Sequence, residues 1–109
     1  MMSILAEISQ TEFDDQVLQS KIPVVVEFGA EWCGPCKRLE PELVKLAGEW
    51  KDKIKIMHVN VDENLDLSTQ FQIMSVPTTI LFLKGKEVQR LIGFIPLPKM
   101  KEKFLSSLA

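Results

Sequence analysis

At 109 residues, 46% of them apolar and 26% charged, with five glycines and six prolines, the chain has the composition of a globular protein and is long enough to bury a core without help from disulfides. Its net charge of -2 comes from acids and bases interspersed along the whole length, which excludes a basic stripe for nucleic acid and a charged tail for a membrane surface. The longest apolar run, Thr78 to Leu83, is far shorter than the roughly 20 residues of a membrane span, and no repeat or low-complexity segment interrupts the pattern. One domain over residues 1–109, monomeric and with proteins as its partners, is expected. The first residues carry no base and meet an acid at Glu7, unlike a secretory signal. A cytoplasmic location follows as the expectation, and in that reducing compartment a close cysteine pair is more often catalytic than structural.

The first strand is predicted from Ile4 to Ile8. Ser9-Gln10-Thr11-Glu12 has the spacing of a capping box, with Ile8 and Phe13 placed as a hydrophobic staple across it, so a helix should run from there to about Gln19 and bury Phe13 and Val17. Lys21-Ile22-Pro23 ends that helix. Val24 to Phe28 then has the β-branched density of a central strand covered on both faces. Glu27 is the anomaly within it. A carboxylate there either loses its water, with a raised pKa, or reaches solvent near the strand end.

Ala30-Glu31-Trp32-Cys33-Gly34-Pro35-Cys36-Lys37 follows and holds both cysteines. Residues three apart lie one above the other on the first turn of a helix, about 5 to 6 Å apart, within the range a disulfide bridges. Free N–H groups and the positive dipole end of such a helix favour thiolate at its first sulfur, which makes Cys33 the predicted nucleophile. Pro35 supplies a helical φ in the first turn, and Gly34 leaves the approach to the sulfur uncrowded. A structural zinc site needs four ligands, whereas the chain offers two cysteines and one histidine, so a metal would need ligands shared across a dimer. A permanent disulfide closing so short a loop would restrict the unfolded chain very little. The pair reads as a reversible dithiol with no metal and no bound cofactor.

This octapeptide resembles the active site of the thioredoxin family. The resemblance implies an α/β thioredoxin fold, with a five-stranded mixed sheet flanked by about four helices in the order β-α-β-α-β-α-β-β-α. It also implies a thiol–disulfide oxidoreductase that reduces protein disulfides and is regenerated by a thioredoxin reductase. Trp32, Gly34 and Pro35 would then meet the substrate. Glu27 stands where the family has a buried aspartate that exchanges protons with the second cysteine, here Cys36, and is longer by one methylene. Gly29 stands where an aromatic is common, and its small size is expected to loosen packing beside the site. Gly34-Pro35 between the cysteines is similar to the reducing members rather than to oxidases or isomerases of the same fold. A binding module built on this fold is the alternative of a different class.

The helix after the cysteines is predicted from about Pro35 to Lys51, with Leu39, Leu43, Leu46, Ala47 and Trp50 on one face and a kink at Pro41. Ile54 to Val61 is the next strand, with Ile54, Ile56 and His58 on one face. His58 falls where the family has a lysine partnering the buried acid. It either pairs with Glu27 as a coupled unit or is satisfied at the strand end by backbone or water. Asn64 is expected to cap a short helix carrying Leu67 and Phe71. In Ile73-Met74-Ser75-Val76-Pro77-Thr78 the resemblance implies a cis proline facing the cysteines, with the backbone of Val76 free to pair with substrate; the alternative is a trans Pro77 that opens the strand Thr78 to Leu83. Lys84-Gly85-Lys86 is a turn, and Glu87 to Ile92 an edge strand with Gln89 and Arg90 exposed. Gly93 either borders the substrate groove, as the resemblance implies, or serves an ordinary turn. A last helix starting near Pro96 to Pro98 is expected to bury Leu97, Met100, Phe104 and Leu108.

Overall fold

The computed structural model describes residues 5–108. A five-stranded sheet in the order β1-β3-β2-β4-β5 runs through it. Strands β1 (Ala6–Glu7), β2 (Val24–Gly29) and β3 (Lys55–Asn60) are mutually parallel, as helical crossovers require, and β4 (Thr78–Leu83) and β5 (Lys86–Ile92) add antiparallel at the other edge. Helices α1 (Gln10–Phe13), α2 (Gly34–Glu49), α3 (Leu65–Gln70) and α4 (Leu97–Leu108) cover the two faces. Among the described residues, no helix is long and apolar enough to cross a membrane.

Two apolar layers sandwich the sheet. On one face Leu39, Leu43 and Leu46 of α2 and Leu97, Met100 and Phe104 of α4 close over Val25, Leu81 and Leu91. On the other, Phe13, Val17 and Leu67 close over Val24, Val26, Phe28, Ile80 and Phe82. Every residue of β2 is buried, as its β-branched run predicts.

Several expectations are corrected. Strand β1 is in register with β3 through Ala6 and Glu7, the Ile8 N–H also donates to His58 O at 2.9 Å, and Leu5 and Ile8 are buried; the expected start at Ile4 lies outside the described residues. Helix α1 keeps its capping box, with the Ser9 N–H donating to Glu12 Oε1 at 2.9 Å, and the Glu12 N–H also donates to the Ser9 backbone carbonyl at 3.0 Å. It then widens into a π-helical stretch, Asp14–Leu18, closed by the Gln19 N–H on Asp14 O at 2.9 Å. Lys55 of β3 donates to the Gln16 carbonyl of that stretch at 2.8 Å. Helix α2 is helical on both sides of Pro41, which is compatible with the expected kink there.

Asn64 precedes α3, but its side chain serves other backbones. Its Oδ1 accepts from the Gln10 N–H at 2.8 Å, its Nδ2 donates to Asn60 O at 2.9 Å, and Gln10 Oε1 in turn accepts from the Leu67 N–H at 3.3 Å. The N-terminal turns of α1 and α3 thus satisfy each other's unpaired donors across the fold. Gln89 and Arg90 are half-buried rather than solvent-facing, with Gln89 bonded to Ser107 Oγ at 3.1 Å on α4. Leu108 is only half-buried at its helix end.

Candidate functional site

The parallel strands β2 and β3 both deliver their carboxyl ends to the start of α2. Cys33 is the residue before that helix, in extended conformation (φ -90°, ψ 109°), and Pro35 sits in its first turn. Cys33 and Cys36 form a disulfide with their Cα atoms 5.3 Å apart, within the range set by helical spacing. Cys33 Sγ accepts a hydrogen bond from the Cys36 N–H at 3.1 Å, so one unpaired donor of the helix terminus points at the first sulfur. Cys36 is fully buried and Cys33 almost so, while Trp32 beside them is 70% exposed.

Glu27 and His58 are register partners on adjacent parallel strands, which places their side chains together despite the distance between them in the chain. His58 Nδ1 and Glu27 Oε1 share a hydrogen bond at 2.6 Å, both groups being buried. Glu27 Oε2 is buried with no hydrogen-bond partner. A Cβ placed on Gly29 would meet that oxygen at 2.6 Å, Cys36 Sγ at 3.2 Å and His58 Cε1 at 3.2 Å, so the orphan oxygen, the inner sulfur and the imidazole converge on one point. Gly29 thus lies directly against the acid and the inner sulfur. A Cβ at position 29 would press on the Glu27 carboxylate, so the glycine leaves room for the longer acid.

Burial pushes the Glu27 carboxyl above its ordinary value, against the lowering influence of the His58 hydrogen bond and charge. For His58, burial works downward, but the Glu27 hydrogen bond and the charges of Glu27, Glu40 and Glu7 outweigh it and hold the imidazole above its ordinary value. Glu40, four residues after Cys36 on α2, brings a carboxylate oxygen within 4.8 Å of donor atoms on Glu27 and His58. Such a trio has the donor types of a divalent-cation site. The Nδ1–Oε1 hydrogen bond already engages one atom from each of two of its members. The helical pattern puts Glu40 on the polar face of the helix with Lys37 and Arg38, whereas it is half-buried beside Glu27 and His58; its i, i+4 spacing from Cys36 was the available signal.

Across the disulfide stands the loop before β4. The Val76–Pro77 bond is cis, and Val76 packs on Ala30 and the two cysteines. Gly93 has φ 84°, a conformation side chains disfavour, and its N–H donates to Pro77 O at 2.8 Å; a Cβ there would meet nothing within 4 Å. The glycine thus serves its turn and leaves open space beside the loop. Trp32 is anchored through Nε1, which donates to Asp62 Oδ2 at 2.8 Å, and the Asp62 turn is held by Asn60 Oδ1 accepting from the Asp62 N–H at 2.9 Å. Neither Asp62 nor Asn60 carried a local signal, since their roles depend on where β3 ends.

A cleft of about 180 Å³ beside the disulfide is lined by Trp32, Val61, Ile73, Met74, Ser75 and Val76. Val61, Ile73 and Met74 also line a neighbouring cleft of about 700 Å³ that reaches Leu65, Ser68, Thr69 and Gln72 on and after α3. Met74, 91% exposed, stands at the ridge between them.

The chain matches the family model described as Thioredoxin over residues 4–106. Thioredoxin 1 of Synechococcus elongatus is 39% identical over 95 residues, covering 87% of this chain and 89% of that protein. A thioredoxin of Alicyclobacillus acidocaldarius is 45% identical over 86 residues, covering 79% and 82%. The chloroplastic M-type thioredoxin of Chlamydomonas reinhardtii is 37% identical over 102 residues, covering 91% and 73%. With this likeness along most of its length and a disulfide-forming Cys33-Gly34-Pro35-Cys36 at a helix start, the chain belongs to the thioredoxin family, a protein-disulfide reductase whose redox pair is Cys33 and Cys36.

Proposed function

We propose that Cys33 is the attacking thiolate, that Glu27 is the proton acceptor for Cys36, and that disulfides of cytoplasmic proteins are the substrates. In the dithiol form Cys33 attacks one sulfur of a substrate disulfide; a mixed disulfide forms, and the other substrate sulfur leaves and takes a proton. Cys36 then gives its proton to Glu27, directly or through water, and attacks Cys33 Sγ. The Cys33–Cys36 bond closes, the remaining substrate sulfur leaves protonated, and two electrons and two protons have passed to the substrate. A thioredoxin reductase returns the pair to the dithiol.

The observation that carries this reading is the convergence of the buried, unpartnered Glu27 Oε2 and Cys36 Sγ on the same point beside Gly29. A carboxyl held above its ordinary value by burial is matched to accept a proton from a thiol near neutral pH. His58 serves as Glu27's partner, orienting one oxygen and leaving the other toward the sulfur. Trp32, Gly34, Pro35, Val76, Pro77 and Gly93 line the substrate approach, the backbone of Val76 pairing with an extended substrate segment.

The test is turnover of insulin disulfides together with a midpoint potential. Reduction of insulin at a potential characteristic of reducing members supports the assignment. A potential as oxidising as that of disulfide isomerases overturns it, and so does partner capture without turnover.

A further inference from the structure

The segment that faces the disulfide is launched from a strained helix end. Helix α3 closes with the Ile73 N–H on Ser68 O at 2.9 Å and the Gln72 N–H on Thr69 O at 3.0 Å, the paired bonds of a cap that ends on a left-handed residue. That residue is Gln72, at φ 52°, where glycine is the usual occupant because a Cβ crowds the backbone.

One side chain from another element meets the carbonyls at this end. Arg90 of β5 donates through Nη2 to Phe71 O at 2.8 Å and through Nη1 to Gln72 O at a longer 3.5 Å. Glu87 holds the guanidinium, with Nε on Oε2 at 2.7 Å and Nη2 on Oε1 at 2.8 Å. Residues three apart on a regular strand point to opposite faces. Here the bulge at Leu81/Phe82, where Gln89 opposes Leu81 and Glu87 opposes Phe82, shifts the alternation so that Glu87 and Arg90 share a face.

We propose that Arg90, held by Glu87, is a positioning residue for protein substrates: it clasps the strained end of α3 and so sets the Ile73–Val76 segment that walls both clefts beside the disulfide. The proposal rests on the reading that substrates enter along those clefts. Arg90 touches no reacting atom, so its loss should affect recognition of a polypeptide and leave the sulfur chemistry unchanged. The planar fork spans two carbonyls and a carboxylate, which a lysine's single nitrogen does not reproduce.

The test compares insulin with a small aromatic disulfide that needs no groove. For Arg90→Ala the KM for insulin should rise about threefold or more, with kcat and the small-disulfide rate within about twofold of wild type, and Arg90→Lys should fall between. Amide exchange at Gln72 and Ile73, whose N–H groups close the helix end, should quicken in Arg90→Ala, and in Glu87→Gln to a lesser degree. Gln72→Gly placed in the Arg90→Ala chain should slow that exchange again and bring the KM back, because glycine adopts this conformation unaided. Equal loss toward both substrates, or exchange indifferent to Arg90, overturns the clasp. Failure of wild type to reduce insulin would instead overturn the functional reading, while the exchange result still judges the clasp by itself.

Discussion

Strand β2 shows its two faces to two different environments. Val24, Val26 and Phe28 enter a layer where the rings of Phe13, Phe28, Phe71 and Phe82 pack in pairs with centroids 5.2 to 6.2 Å apart. Val25, Glu27 and Gly29 face α2, where apolar packing gives way after one residue to a buried acid, an imidazole and the inner sulfur. Apolar attraction is non-directional, so the aromatic face is satisfied by volume and area. On the other face each polar atom needs a specific partner or a specific task. Stability resides mainly in the first face and chemistry in the second, and substitutions should separate the two.

The largest separation is expected at the nucleophile. Cys33→Ser should lower insulin reduction on the order of 10³-fold or more while its unfolding free energy stays within about 1 kcal/mol of the reduced wild type. Phe82→Ala should do the reverse. Emptying that buried ring site costs about 3 to 5 kcal/mol in urea titrations, with Cys33 alkylated at the wild-type rate in whatever fraction remains folded. A slower alkylation per folded molecule would break the division between the faces.

Glu27→Gln should slow release of a mixed disulfide by about 10²-fold near neutral pH, the range for loss of one proton-transfer group. Stopped-flow release rates that match wild type across roughly pH 6 to 9 would remove Glu27 from the mechanism. Gly29→Ala forces a methyl to within 2.6 Å of Glu27 Oε2. The loss should be about 1 to 3 kcal/mol. Most of it should return in the double variant with Glu27→Asp, whose shorter side chain vacates the space.

The smallest effect is the pH dependence of stability. Both pair members have folded pKa values raised above the ordinary 4.5 and 6.5. Each therefore stabilises the fold fully below its ordinary value and loses that contribution as pH rises through its folded value. Relative to the Glu27→Gln/His58→Gln double variant, wild type should lose stability with rising pH in both windows, at no more than about 1.4 kcal/mol per pH unit for each proton. A flat difference between the two proteins would mean that the pair is not coupled to folding.

How much of this could be read from the chain depended on distance along it. The Ser9–Glu12 capping box, the Lys84-Gly85 turn and the helix starting at the cysteines all lie where the residues place them, because their partners are within four positions. The widening of α1 after Phe13 escaped, since a single helical period describes an α-helix and a short π-helical stretch almost equally well. Asn64 was legible as a helix boundary but not as a donor to Asn60 and an acceptor for Gln10.

The sequence by itself determined that two sulfurs sit one helical turn apart at a helix start, between an apolar strand and an amphipathic helix, because backbone geometry alone enforces that spacing. Only the tertiary structure decided that Glu27 meets His58, that Gly29 abuts the Glu27 carboxylate, that Trp32 hangs on Asp62 and that Arg90 caps α3. Those contacts depend on strand register and on one bulge, which the whole sheet settles by how its two faces pack, and a shift of one residue would have turned each side chain away from its partner.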